Sequence, residues 1–294
     1  MNQEQIERIE GDGFIAALDQ SGGSTPKALE AYGISPEAWE GDQAKMFELV
    51  HGMRTRIITN PAFNQRISGA ILFENTMLGE VERMPTAQYL WERKKIVPFL
   101  KIDDGLAEKK YGVQLMKPIE KLEERLQDAR NRGMFGTKMR SVIHAADGEA
   151  IRSIVDQQFQ VAQKIIAAGL MPIIEPEIGI NIEGKKRAEE LLIEDLFRNL
   201  DLLPTNQKVM LKLTLPESTD FYLQLTQHPS VLRVVALSGG YSREEASKRL
   251  AQNTGMTASF SRALVDGLRV DQTKEKFTET LNASIKSIYD ASMT

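Results

Sequence analysis

The sequence predicts an α/β chain folded as a (β/α)8 barrel, and three observations lead there. Eight short apolar runs are mostly separated by segments of helical periodicity, the pattern of a parallel sheet whose strands are joined by helices. Eight such units are the number that closes a barrel. Polar side chains at Asp19, Lys101, Glu175, Ser238 and Arg262 fall at or just past the C-terminal ends of those runs, the face on which barrel enzymes carry their chemistry. A doubly wound sheet is the alternative architecture, but no Gly-x-Gly-x-x-Gly turn follows the first run. No Pro/Gly/Ser-rich linker divides the 294 residues. Residues 1–294 therefore read as one barrel domain with an N-terminal extension and a C-terminal helix.

The runs lie at 13–18, 68–73, 96–100, 138–143, 171–177, 209–213, 231–237 and 256–260. Each is four to eight residues long, the length of a buried strand. Apolar residues at helical spacing place helices over 42–59, 122–131, 149–168 and 185–200. Ser242, with Glu244 and Glu245 behind it, opens another, since a serine hydroxyl can accept the first free backbone N–H groups. A helix over 272–291 closes the chain. The first strand runs into Gln20-Ser21-Gly22-Gly23-Ser24-Thr25-Pro26-Lys27. Backbone N–H groups of such a Gly/Ser loop can wrap a phosphate, although plain turns share the composition.

Composition removes several classes of function. A formal charge of -4 argues against a nucleic-acid partner, which needs clustered Lys and Arg. With no cysteine there is no disulfide framework, thiolate catalyst or cysteine zinc site. The three histidines have no metal-like spacing and read as structural. No run of about 18 apolar residues suits a membrane, and the first residues lack the basic and apolar segments of a secretion signal. The expectation is a cytoplasmic enzyme with neither metal nor cofactor, and homo-oligomer formation stays open.

Lys212 stands out because it sits inside the apolar run Val209-Met210-Leu211-Lys212-Leu213. Burying an ammonium is costly, so such a lysine is paired or pushed towards its neutral, nucleophilic form. A neutral amine can attack a ketone or aldehyde to give a Schiff base without a cofactor. A lysine that snorkels or joins a structural ion pair is the other reading of that run.

Period-two alternation places Lys138 with Arg140, and Glu175 with Glu177, on shared strand faces. Either glutamate could serve as a proton donor. Lys101, Lys138, Arg140, Lys212 and Arg262 gather positive charge at the barrel mouth, which suits phosphorylated sugars. Two Gly/Ser loops, at Ser21 to Ser24 and Ser238 to Gly240, suggest two phosphates. Together these features fit carbon–carbon cleavage of a bisphosphorylated ketose.

The chain resembles the class I fructose-1,6-bisphosphate aldolases, in their compact bacterial form. The resemblance runs from about Gly13 to the last helix. It rests on Ala17-Leu18-Asp19-Gln20-Ser21-Gly22-Gly23-Ser24, Lys138-Met139-Arg140, Ile174-Glu175-Pro176-Glu177, Leu211-Lys212, Leu237-Ser238-Gly239-Gly240 and Ser259-Phe260-Ser261-Arg262-Ala263-Leu264. It implies a metal-independent lyase of glycolysis that splits fructose 1,6-bisphosphate into dihydroxyacetone phosphate and glyceraldehyde 3-phosphate.

By that similarity Lys212 forms the Schiff base and Glu175 is its general acid and base. Asp19 binds substrate hydroxyls and orients the lysine, and Lys138 supports the same charges. Ser238, Gly239 and Arg262, with Gly240 in the same loop, hold the phosphate near the imine. Ser21, Ser24, Lys101 and Arg140, with Glu177 beside them, lie towards the other phosphate. Two departures from the animal enzymes are Gln20, where an acidic residue is usual, and an end at Thr294 without the long tail whose tyrosine assists enamine protonation. Tyr289 reads as part of the last helix, so the group that protonates the enamine stays open. Aldolases for tagatose or sedoheptulose bisphosphate, and a non-catalytic sugar-phosphate-binding protein, are the rival functions.

Overall fold

The computed structural model describes residues 2–21 and 23–294; Gly22 of the first Gly/Ser loop lies outside the described residues. Eight parallel strands follow one another in chain order. They are β1 (Phe14–Leu18), β2 (Ile67–Leu72), β3 (Val97–Lys101), β4 (Gly136–Ile143), β5 (Met171–Ile178), β6 (Val209–Thr214), β7 (Val231–Leu237) and β8 (Met256–Ala258). The Ala17 N–H donates to the Phe260 carbonyl at 3.3 Å, so the last strand's end meets the first and the sheet closes as a TIM barrel. All eight expected runs are strands. β4 begins two residues earlier than the apolar run because Gly136 and Thr137 already pair with β3 and β5.

The helices expected from periodicity and from the Ser242 cap surround the sheet: α3 (Gln43–Thr59), α6 (Leu122–Asn131), α7 (Gly148–Ala167), α8 (Lys185–Leu200), α10 (Arg243–Leu250) and α12 (Lys274–Ala291). Side-chain caps hold several of their N-termini, the one at Ser242 as expected. Asp42 accepts from the Ala44 and Lys45 N–H groups, Asp147 from Ala150, and Ser242 from Glu245. The remaining helices, none longer than nine residues, carry too little periodic signal to be read from sequence. These are α1 (Gln3–Glu10), α2 (Thr25–Tyr32), α4 (Glu74–Leu78), α5 (Thr86–Lys94), α9 (Leu223–Thr226) and α11 (Arg262–Val265).

The barrel interior has an apolar floor and a charged upper layer. Ile15, Ile71, Phe99, Ile173, Met210 and Val235 come from six different strands and meet in one cluster. Ile9 of α1 completes that cluster, so the N-terminal helix plugs the bottom of the barrel. Arg233 holds the plug by donating to carbonyls at the end of α1 and in the following turn, and Arg8 of α1 by donating to the Lys95, Gln65 and Ile67 carbonyls. A Cβ at Gly136 would stand 2.1 Å from the Met171 carbonyl oxygen and 2.9 Å from the Phe99 ring, so only glycine lets that ring fill the floor.

Moving two residues along a strand returns to the same face. From Phe99 this step leads to Lys101, from Gly136 to Lys138 and Arg140, from Ile173 to Glu175 and Glu177, and from Met210 to Lys212. The alternation that builds the core thereby raises a layer of charge directly above it.

Candidate active site

Lys212 is 4% exposed, Glu175 3% and Lys138 2%, so three ionisable groups share a space nearly closed to water. Removing single charges from water is prohibitive, and such groups persist only as partners. The pairing is continuous. Lys212 Nζ lies 3.0 Å from Glu175 Oε1, Lys138 Nζ lies 3.0 Å from Glu175 Oε2, and Lys138 Nζ lies 2.7 Å from Asp19 Oδ2. Neighbouring strands set these distances. Ile174 is in register with Leu211 and Arg140 with Glu175, which aligns charges 37 or more residues apart in sequence.

Burial works against the charge of Lys138, but Asp19, Glu175 and Asp103 more than offset it and raise its pKa above the ordinary amine value. Burial likewise opposes ionisation of Asp19. Lys138, Lys212 and Lys101 outweigh it and hold that carboxyl well below the usual range. These two groups are a fixed ammonium and a fixed carboxylate.

The chain of charges opens into a cavity of about 540 Å³, a volume suited to a small ligand. Asp19, Ser21, Ser24, Lys101, Lys138, Arg140, Glu175, Glu177, Lys212, Ser238, Gly239 and Arg262 all line it. Gly240 adjoins them, since a Cβ there would lie 3.5 Å from Arg262 Nη2. All thirteen expected site residues thus come to one place. The three histidines do not. His51 meets the Glu80 carbonyl, His144 meets Gln114, and His228 meets Asp201.

The mouth is less positive than its lysines and arginines suggest. Lys101 Nζ is held by Asp103 at 2.6 Å, and Arg140 pairs with Glu177. Among the described residues, Lys27 and Arg262 line the cavity with no carboxylate partner. The free positive charge therefore sits at the rim, near the two Gly/Ser loops. Beyond β7, Gly239 has φ +59° and Gly240 φ +120°, and a Cβ on Gly239 would meet Ile180 Cγ2 at 2.6 Å. Glycine alone fits this turn, which brings backbone close to the Arg262 guanidinium. After β1, Ser24 and Ser21 bind each other through Oγ and backbone and make a tight turn into α2.

Asp103 was missed by sequence reading, although it lies two residues past Lys101 and so shares its face. Arg54 was missed as well. It is wholly buried on α3, where its spacing resembles that of an ordinary core position. Tyr289 lies at the opposite end of the barrel, beside Asp12 and Arg233, and is remote from the cavity.

The model of the class-I fructose-bisphosphate aldolases matches residues 4–215. A fructose-bisphosphate aldolase class 1 of Synechocystis sp. is 57% identical over all of this chain and 98% of its own length. The protein of the same name from Porphyromonas gingivalis is 53% identical, with 100% of both chains covered. A solved fructose-bisphosphate aldolase from Plasmodium falciparum, in complex with TRAP and a small-molecule inhibitor, superimposes with a TM-score of 0.74 at 22% identity, over 99% of this chain and 94% of that one. With its charged layer inside a closed parallel barrel, the chain belongs to the class-I fructose-bisphosphate aldolase family.

Proposed function

We propose that this class-I fructose-bisphosphate aldolase cleaves its ketose through a Schiff base on Lys212, with Glu175 moving the protons. The observation that carries the assignment is the unequal pairing of the two lysines. Lys138 is bracketed by the carboxylates of Asp19 and Glu175 and keeps its proton. Among the described residues Lys212 pairs with no carboxylate but Glu175, which offers its proton one short path.

The freed amine attacks the ketone carbon of fructose 1,6-bisphosphate. Glu175 returns the proton as water leaves, and the iminium forms. A carboxylate then takes the proton of the hydroxyl on the fourth carbon, the bond between the third and fourth carbons breaks, and glyceraldehyde 3-phosphate departs. The electron pair moves into the iminium and leaves an enamine. Protonation of its carbon and hydrolysis of the imine release dihydroxyacetone phosphate and regenerate the lysine. Asp19, held as an anion on the cavity wall, would bind substrate hydroxyls. Ser238, Gly239, Gly240 and Arg262 would hold the phosphate nearer the imine. Ser21, Ser24, Lys101 and Arg140 would face the distal one.

Incubation with dihydroxyacetone phosphate, borohydride reduction and peptide mapping test the assignment, with a parallel sample in EDTA. A reduced adduct on Lys212 in both samples is expected. An adduct on Lys138 would reassign the nucleophile.

A further inference from the structure

Arg54 is the largest side chain fully shut inside the protein, and it has no carboxylate within ion-pair distance among the described residues. Its guanidinium makes three hydrogen bonds. Nη1 donates to Thr76 Oγ1 at 2.8 Å, and Nη2 donates to the Gln20 carbonyl at 2.6 Å and to Gln20 Oε1 at 3.2 Å. Gln20 then continues the line across the barrel mouth, its Nε2 donating to Ser261 Oγ at 2.8 Å. Three segments distant in sequence, on α3, after β1 and before α11, are thereby joined.

A guanidinium has donors only, so the oxygen of the Gln20 amide must face Arg54 and its NH2 must face Ser261. Ser261 Oγ is consequently an acceptor in that contact, and its own hydrogen is left to donate elsewhere. Although Ser261 is the residue before α11, its hydroxyl does not cap that helix. It lines the cavity next to Arg262, whose guanidinium lies over Gly240. We propose that Ser261 is a phosphate-binding residue, and that Arg54 acting through Gln20 sets its hydroxyl as the donor that meets the phosphate beside Arg262.

The arrangement gives Gln20 a purpose that an acidic residue could not serve. A glutamate there would still bond Arg54 but would have no N–H for Ser261. The serine would donate to the carboxylate instead, and its hydrogen would be lost to the ligand. Arg54 and Gln20 are positioning residues in this scheme, and Ser261 alone touches the substrate. The inference rests on the aldolase reading for the identity of the phosphate ester, but not for the presence of an anion.

The test uses the full chain with Ser261→Ala, Ser261→Thr, Gln20→Glu and the double variant Gln20→Glu/Ser261→Ala. The Kd of inorganic phosphate is read by calorimetry, and KM and kcat for fructose 1,6-bisphosphate by turnover. Loss of one hydrogen bond to a charged group should weaken phosphate and raise KM about tenfold in Ser261→Ala, with kcat within about twofold. Ser261→Thr keeps the hydroxyl and should restore binding. Gln20→Glu leaves Arg54 satisfied, so it should fold and show the same tenfold loss, and the double variant should match either single change rather than their product.

Unchanged phosphate binding in Ser261→Ala would overturn the assignment. So would a double variant whose losses multiply. Absence of turnover by the unmodified protein, with the phosphate pattern intact, would instead refute the aldolase reading and leave Ser261 in place.

Discussion

Lys212 Nζ stands 3.0 Å from Glu175 Oε1, and no other carboxylate lies within ion-pair distance of that amine among the described residues. One proton therefore has one short path, from nitrogen to oxygen, between two groups that are almost wholly buried. Removal of the amine should abolish imine formation. Lys212→Met is expected to lose at least about 10⁴-fold in kcat, as removal of a covalent nucleophile does. It should also give no borohydride adduct while retaining its circular dichroism spectrum. Full turnover by this variant would rule out the Schiff base.

Glu175→Gln keeps the shape of the side chain and removes its ability to accept a proton. The rate of adduct formation with dihydroxyacetone phosphate should fall about 10²- to 10⁴-fold. Stopped borohydride trapping at timed intervals would measure it directly, separate from later steps.

Lys138→Met leaves Asp19 and Glu175 without the ammonium that lies between them. Breaking a buried ion pair in this way costs about 3–5 kcal/mol. The variant should therefore unfold at clearly lower denaturant than the parent at neutral pH. A parent-like denaturant midpoint would show that Lys138 is not needed to hold the buried carboxylates.

Asp19 has a folded pKa below its ordinary value of 3.8, because Lys138, Lys212 and Lys101 outweigh burial. Its contribution to stability is fully present above about pH 4 and is lost as pH falls through the folded value. Asp19→Asn should be less stable than the parent at pH 6, and the gap should narrow below about pH 4. Denaturation midpoints across that window would reveal the convergence. A constant gap would show that Asp19 ionisation does not couple to folding.

Gly239→Ala places a Cβ at φ +59° and against Ile180. A left-handed alanine costs about 1–2 kcal/mol, so the fold should survive with a lower melting temperature. The turn must shift, and KM for fructose 1,6-bisphosphate should rise more than kcat falls. Calorimetry and steady-state kinetics on one preparation would separate the two effects.

The strands and the longer helices were legible because their signals are local. An apolar run such as Val209 to Leu213 declares a buried strand, and the spacing of Met46, Val50, Met53 and Ile57 declares the inner face of α3. Period two also told which charges share a strand face. Lys138 was on the same side as Arg140, and both line the cavity.

Partnership between strands was not legible. Five cations at the mouth pointed to a strongly positive pocket, yet Asp103, Glu177, Glu175 and Asp19 neutralise most of them. Arg54 looked like one more residue on a helix and proved to be a buried donor tied to Gln20.

The sequence by itself determined the eight strands in order and the ionisable groups that share their faces, because these follow from the alternation of side chains along a chain segment. Which ammonium meets which carboxylate, and which hydroxyl is left to donate, was decided only by closure of the barrel. Such contacts depend on distances of about 3 Å between residues far apart in sequence. Strand register and sheet closure set those distances, and no local pattern encodes them.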